Sequence, residues 1–238
     1  FFGGGWKLGT PIQFYRECAY YASKGMVAVS VDYRIGYLHH STPFESFEDA
    51  KDAICWLRSH ASDYQLDPDK IAVAGGSAGG HLAGTVGTLW NSPLVRETLQ
   101  IPSGEDRPDG MILGYPVITS GAYTHEDSIK FLLGEDRYQD EKEREKVSVE
   151  KLVNRDTPKA FLWHTFEDDL VPVENTLKMA DALRKAGVLF EMHIYPHGPH
   201  GLAICDETTV DVKENLNPYA AYVSSWVEHC IRWIREVL

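Results

Sequence analysis

The sequence predicts an α/β protein with a mostly parallel sheet and helices on both faces. Short apolar runs of strand length alternate with longer segments of helical spacing, and turn residues separate them. The 238 residues, 43% of them hydrophobic, are enough for one domain with a sizeable core. Because right-handed crossovers bring the carboxyl ends of parallel strands to one edge of a sheet, functional residues are expected at that edge.

The chain opens on a glycine-rich stretch followed by a predicted helix and strand. Thr10 as N-cap, Pro11 in the first turn and Gly25 as a stop signal predict a helix over residues 10–24. The β-branched run over residues 26–33 predicts a buried strand.

A second predicted helix follows a loop over residues 34–45. Ser46 and Asp49 resemble a capping box, and apolar residues at helical spacing continue the helix to about Ser62. The next apolar run, residues 71–74, predicts a strand that leads through a glycine turn into a helix ending near Trp90.

The middle of the chain is less regular. A proline- and glycine-rich loop over residues 93–108 precedes a predicted strand over 110–115. The charged segment 119–156 breaks the alternation, so it predicts short helices and loops that form a cap over one end of the sheet. Residues 160–165 predict the next strand.

The last three elements are a helix, a strand and a closing helix. An i,i+4 pair of Glu174 and Lys178, with Gly187 as C-cap, predicts a helix over residues 173–186. A strand over 188–195 and an amphipathic helix over 219–237 complete a single domain without internal repeats.

Composition excludes several kinds of partner. The net charge of −12 argues against binding to nucleic acid or to anionic membranes, and no apolar run approaches the length of a membrane span. The four cysteines lack metal-ligand spacing and are expected to be buried thiols, which favours a cytoplasmic compartment over a secreted form whose signal peptide has been removed. Neither a metal nor a cofactor is expected.

A serine between glycines is the most informative feature of the chain. Ser77 lies in the sequence GGSAGGH, after a predicted strand and before a predicted helix. This is the context of a nucleophile elbow, in which a sharp turn exposes the serine hydroxyl and the flanking glycines avoid steric clashes. A glycine-rich turn that holds a phosphate is the alternative on the motif alone.

An acid and a base follow in the order that an elbow serine requires. Glu167, Asp168 and Asp169 follow the strand at 160–165, and His197 and His200 follow the strand at 188–195. His200 is favoured as the base because it precedes a Gly-Leu pair where the chain can turn beneath the elbow. The pattern by itself leaves the three carboxylates as alternatives.

An oxyanion hole needs two kinds of backbone N–H group, one from the residue after the nucleophile and one from a glycine-rich loop after an early strand. Ala78 follows Ser77, and three glycines stand at residues 3–5, ahead of the first predicted helix.

These motifs together resemble the α/β-hydrolase superfamily, in its acetyl esterase and carboxylesterase group related to hormone-sensitive lipase. The resemblance covers nearly the whole chain and rests on FFGGGW at 1–6, DYR at 32–34, GGSAGGHLA at 75–83, GYPVI at 114–118, LWHTFEDDLVPVENT at 162–176 and YPHGPHGL at 195–202. The sequence differs from these relatives in two ways. Many relatives have a histidine where Phe2 stands here. Relatives also carry strands before the glycine loop, so the resemblance implies N-terminal strands that this sequence lacks.

The resemblance also assigns roles to individual residues. Its Asp-x-x-Val-Pro pattern implies Asp168 as the acid, its His-Gly pattern implies His200 as the base, and Gly4, Gly5 and Ala78 are the implied oxyanion donors. The position of a residue near the expected active edge, and not the resemblance, gives the candidates for the substrate pocket, which are Trp6, Tyr115, His125 and Trp163.

The expected function is hydrolysis of short-chain esters, chiefly acetyl esters, by a cofactor-free Ser-His-Asp mechanism. Acetylated sugars or xylo-oligosaccharides are the candidate substrates, and homo-oligomerisation is compatible with the sequence. A serine peptidase similar to prolyl oligopeptidase and a non-catalytic binding protein with a hydrolase fold are the alternatives.

Overall fold

Four parallel strands form one sheet at the centre of the protein. The computed structural model describes residues 1–102, 104–205 and 220–238. The strands lie in the order β1-β2-β3-β4, and they are β1 Ala72–Gly76, β2 Gly110–Gly114, β3 Lys159–Thr165 and β4 Phe190–Tyr195. All three neighbouring pairs are parallel, so their carboxyl ends share one edge of the sheet, as the sequence predicts.

Helices connect these strands and cover the sheet. After a short 3₁₀ helix at Pro11–Phe14, the helices in chain order are α1 Tyr15–Ser23, α2 Gly36–His39, α3 Pro43–Ser59, α4 Ala61–Tyr64, α5 Ala78–Leu89, α6 Pro93–Leu99, α7 Glu126–Leu133, α8 Glu135–Tyr138, α9 Glu141–Lys146, α10 Val149–Leu152, α11 Glu174–Ala186, α12 Ala220–Val223 and α13 Ser225–Glu236. No helix in the described ranges is long and apolar enough to cross a membrane.

Alternation along the strands separates the core into two layers. On β2, Met111 and Leu113 face a cluster built with α3, α5 and α11. Ile112 faces the opposite cluster, which contains Trp226 and Cys230 from α13. Successive side chains of a strand point to opposite faces, so each strand contributes to both layers. Helices therefore cover both faces, and this part of the prediction is confirmed.

The segment 119–156, predicted to be a cap of short helices, contains α7 to α10. A small apolar cluster packs Ile129 and Leu133 of this segment against Val117 and Val171 of the main domain. Asn175 on α11 ties the start of the segment to the main domain, because its side-chain oxygen accepts the N–H groups of Ile118 and Thr119 at 2.9 and 3.0 Å. Whether this segment works as a cap stays a prediction.

The predicted strand over residues 26–33 is wrong. The segment is not paired with any strand that the structure describes, and Val27 and Val29 are 49% and 47% exposed. A cavity of about 560 Å³ separates residues 26–31 from β1. A strand needs a neighbouring backbone to pair its N–H and C=O groups, and in the described residues no backbone segment fills this gap.

Several predicted boundaries also differ. The second long helix, α3, begins at Pro43 and not at Ser46, because Thr42 caps it and the Thr42 N–H donates to Glu45 Oε2 at 2.6 Å. The Ser46 hydroxyl instead donates to the carbonyl of Arg34 at 2.5 Å. The predicted loops 34–45 and 93–108 contain α2 and α6, and the predicted closing helix is divided into α12 and α13. Tyr219, its expected first residue, lies outside the described residues.

Candidate active site

Ser77 stands on the sharp turn between β1 and α5. Its backbone adopts φ 56° and ψ −125°, a conformation that a residue with a side chain rarely takes. The turn requires neighbouring glycines, since a Cβ on Gly75 would lie 2.1 Å from the carbonyl oxygen of Gly79. A Cβ on Gly79 would in turn lie 2.2 Å from the carbonyl oxygen of Phe1. The glycines therefore allow the strand, the helix and the N-terminal loop to approach one another closely.

His200 and Asp168 reach Ser77 from the loops that follow β4 and β3. His200 Nε2 lies 2.8 Å from Ser77 Oγ, and His200 Nδ1 lies 2.6 Å from Asp168 Oδ2. The His200 side chain is 13% exposed, whereas that of Asp168 is fully buried. The three side chains form one continuous hydrogen-bonded chain from the sheet edge to the elbow.

Asp168 accepts hydrogen bonds on both carboxylate oxygens. Oδ1 accepts the backbone N–H groups of Leu170 and Val171 at 3.0 and 2.9 Å, and Oδ2 lies 3.1 Å from His164 Nε2. Burial opposes ionisation of this carboxyl group, but the hydrogen bonds from His164 and His200 outweigh it and hold the pKa of Asp168 well below its ordinary value. The group therefore stays a carboxylate at neutral pH.

The other acid and base candidates lie elsewhere. Asp169 is exposed. Glu167 Oε1 lies 2.8 Å from Nδ1 of His197, and both side chains are about half exposed. This hydrogen bond lowers the pKa of Glu167 and links the loop after β3 to the loop after β4. The geometry distinguishes Asp168, which the family resemblance implied, from the two neighbours that the residues alone left as alternatives.

The N-terminal glycines at residues 3–5 lie close to the elbow. A Cβ on Gly3 would lie 3.2 Å from Ser77 Cβ, so the glycine loop packs directly against the nucleophile candidate. Gly4 and Gly5 adopt φ values of 118° and 63°, which favour glycine. Ala78 is the first residue of α5, where a backbone N–H has no acceptor within its own helix. N–H groups of this kind can bind a developing negative charge.

The four pocket candidates fall into different environments. Tyr115 packs its ring edge-on against His200 at 5.0 Å between centroids. His125 is half-buried. Its pKa is lowered mainly by this burial and, to a smaller extent, by the nearby His200. Trp6 is buried against His81, and Trp163 is stacked in the core on Trp226. The part that each plays in a substrate pocket stays a prediction.

Two polar residues near the site were missed from the sequence. His164 lies inside the apolar run of β3, which we interpreted only as a strand, and it contacts Asp168. Ser128 lies on α7 with its Oγ 2.7 Å from Nδ1 of His125. A polar residue within an otherwise apolar strand was the available signal for His164, whereas nothing in the sequence pattern distinguished Ser128.

The described residues contain no group of three or more histidine, cysteine, aspartate or glutamate side chains placed to hold a metal ion.

Comparison with known protein families identifies the family of this chain. The model of the BD-FAE family matches residues 1–183. The chain belongs to the BD-FAE family. Within the α/β-hydrolases it falls in the acetyl esterase and carboxylesterase group, as the sequence motifs predict.

Three relatives illustrate the similarity of this BD-FAE chain to known proteins. It is 34% identical over 207 residues to endo-1,4-beta-xylanase B of Butyrivibrio fibrisolvens, which covers 86% of this chain and 32% of that protein. It is 30% identical over 203 residues to an acetylxylan esterase of Xylanibacter ruminicola, covering 84% of this chain and 39% of the relative. The chain thus spans less than half the length of these two curated relatives.

The third relative is a solved structure. An acetyl ester-xyloside bifunctional hydrolase from Caldicellulosiruptor lactoaceticus superposes with a TM-score of 0.82 at 36% identity, covering 99% of this chain and 80% of that one.

Proposed function

We propose that this BD-FAE chain is a serine carboxylesterase that cleaves short acyl esters, chiefly acetyl esters. The observation that carries the proposal is the hydrogen-bonded chain from Ser77 through His200 to Asp168, with distances of 2.8 and 2.6 Å, mounted on a strained elbow. A serine hydroxyl is a poor nucleophile unless a base accepts its proton, and a third group must orient that base. This arrangement supplies both.

Acylation begins when His200 Nε2 accepts the Ser77 hydroxyl proton as Oγ attacks the ester carbonyl. The resulting imidazolium is stabilised by the carboxylate of Asp168, which also keeps the hydrogen of the resting imidazole on Nδ1. His200 then gives the proton to the leaving alcohol as the tetrahedral intermediate collapses to an acyl-serine. Water, deprotonated by the same imidazole, releases the acid and regenerates Ser77.

The oxyanion of the tetrahedral intermediate is assigned to the N–H groups of Ala78, Gly4 and Gly5. Support comes from the close packing of the glycine loop on Ser77 and from the position of Ala78 at the start of α5. The aligned peptide dipoles of this 12-residue helix add partial positive charge at the same point.

The substrate class is inferred from the relatives and from the rim of the site. An acetylxylan esterase and an acetyl ester-xyloside hydrolase are among the proteins that this chain resembles. Acetylated sugars or xylo-oligosaccharides are therefore the proposed substrates. His125, held by Ser128 near the catalytic histidine, is the candidate to contact a sugar hydroxyl.

Hydrolysis of a p-nitrophenyl ester series from acetate to octanoate tests the proposal. We expect turnover that is fastest with acetate and is lost in Ser77→Ala, while Ser62→Ala, which changes an exposed serine on α4, keeps wild-type rates. Cleavage of acetylated xylo-oligosaccharides then tests the substrate class.

The two alternative functions predict different results when the same purified protein is assayed. A peptidase would cleave a proline-containing amide substrate faster than the esters. A non-catalytic protein would turn over no ester, and Ser77 would not react with a fluorophosphonate. Either result would contradict the esterase proposal.

A further inference from the structure

His164 is a buried histidine that the mechanism above does not use. It lies on β3 with no exposed side-chain surface. Its Nε2 is 3.1 Å from Asp168 Oδ2 and 2.9 Å from the carbonyl oxygen of Val171, and its Nδ1 is 2.8 Å from Thr176 Oγ1. Each ring nitrogen therefore has a partner within hydrogen-bond distance.

The partners determine which nitrogen carries the hydrogen. The carboxylate of Asp168 and the carbonyl of Val171 can only accept, so Nε2 must be the donor. In the neutral ring Nδ1 is then an acceptor, which suits the hydroxyl group of Thr176 as donor. His164 is thus oriented from both ends, with its N–H directed at the carboxylate.

The same carboxylate oxygen serves two imidazoles. Asp168 Oδ2 lies 2.6 Å from His200 Nδ1 and 3.1 Å from His164 Nε2, while Oδ1 is occupied by two backbone N–H groups. A hydrogen bond from His164 restricts rotation of the carboxylate and lowers its affinity for a proton. It acts on the oxygen that must stay an anion when His200 becomes charged.

We propose that His164 is a positioning residue that orients Asp168 and keeps it anionic while His200 carries the proton. The inference rests on the proposed function of Ser77, His200 and Asp168. His164 itself has no access to substrate, so it acts through the carboxylate alone. Among the described residues, His125 and Tyr115 are titratable groups whose charges interact with Asp168, and His125 also interacts with His200. Glu167 and Asp169 flank Asp168 in the chain, but both are exposed.

Two substitutions separate hydrogen bonding from packing. His164→Met replaces the ring with an apolar side chain that cannot donate, and His164→Gln retains an N–H donor at a similar reach. Loss of one charge-assisted hydrogen bond predicts a fall in kcat/KM of about 10- to 100-fold for the Met variant, carried by kcat, with KM within about twofold. We expect the Gln variant to recover most of this loss.

The pH profile gives a readout that packing alone would not change. The hydrogen bond from His164 lowers the pKa of Asp168, so its loss in the Met variant makes this carboxylate more basic and moves the acidic limb of the kcat/KM profile to higher pH. The Gln variant keeps the wild-type limb. The matched control is His193→Gln on β4, where a half-buried histidine pairs with Glu191, and we expect wild-type kinetics there.

Wild-type turnover and its loss in Ser77→Ala are measured first, so that failure of the esterase proposal is recognised separately. The role of His164 is refuted if the Met variant keeps the wild-type rate and acidic limb. It is also refuted if the Met and Gln variants lose activity equally at equal Tm.

A second measurement does not depend on the folding of any variant. Nitrogen-15 NMR of the labelled wild-type protein reports which ring nitrogen of His164 carries the hydrogen. A hydrogen on Nε2 agrees with the proposal, and a hydrogen on Nδ1 alone refutes it, whether or not the protein hydrolyses esters.

Discussion

Replacing Asp168 by asparagine puts a donor in place of the carboxylate oxygen that faces two imidazoles. The backbone N–H groups of Leu170 and Val171 both point at Oδ1, so the amide oxygen of an asparagine must take that position. Its NH2 group then faces His200 Nδ1 and His164 Nε2. Nδ1 of His200 becomes an acceptor, its hydrogen moves to Nε2, and the ring can no longer accept the proton of the serine.

The size of the effect follows from the charge that is lost. A carboxylate and an imidazolium whose charge centres are about 4 Å apart interact by about 4 kcal/mol at an effective dielectric constant of about 20. Since about 1.4 kcal/mol corresponds to a tenfold change in rate, Asp168→Asn should lower kcat/KM by about 10³-fold. The unfavourable tautomer of His200 adds to this loss.

The measurement is kcat/KM for p-nitrophenyl acetate at neutral pH, with Asp169→Asn as the matched control. Asp169 is the adjacent exposed carboxylate, so its variant should remain within about twofold of the wild type. A loss of less than about tenfold for Asp168→Asn would refute the assigned role, and so would an equal loss in both variants. Circular dichroism at the assay temperature confirms that each variant is folded.

Two further predictions concern stability. Burial lowers the pKa of His81 to about 4 from 6.5, so the unfolded chain binds a proton first and stability falls by about 3 kcal/mol as the pH drops through this range. Urea unfolding should show this loss in the wild type relative to His81→Gln, and a constant difference between pH 7 and pH 4 would contradict it. Gly79→Ala, whose Cβ would lie 2.2 Å from the Phe1 carbonyl oxygen, should lower the free energy of unfolding by about 2 kcal/mol in thermal denaturation. Gly121→Ala, with its nearest atom at 3.6 Å, should change it by less than about 0.5 kcal/mol, and equal effects would contradict the steric argument.

Most of the sheet was predictable because its strands are short apolar runs between turns. Predictions for the four paired strands fall within about two residues of the structure at either end. The segment 26–33 has the same composition and yet forms no ladder, since the described residues contain no backbone segment that fills the gap between it and β1. Strand formation depends on a neighbour that local sequence does not specify.

The first residue of a helix was also difficult to predict from the sequence. Both Thr42 with Glu45 and Ser46 with Asp49 fit the pattern of a capping residue followed by an acid, and only the first pair caps α3. Ser46 instead bonds the carbonyl of Arg34, which is distant in sequence but close in space. Local patterns therefore predict that a helix exists better than they predict where it begins.

For this chain, the sequence by itself determined the α/β class, the order of the four paired strands, the strand–turn–helix context of Ser77 and the loops that carry its candidate partners. These features depend on local properties of the sequence, namely the residues that form turns, the spacing of apolar residues and the order of the motifs along the chain. Local patterns left three adjacent carboxylates as alternatives, and only the family resemblance implied Asp168. The tertiary structure alone shows the contact of Asp168 with His200 and the contact of His164 with the same carboxylate. Those distances depend on how two loops close over the carboxyl edge of the sheet, which no local pattern encodes.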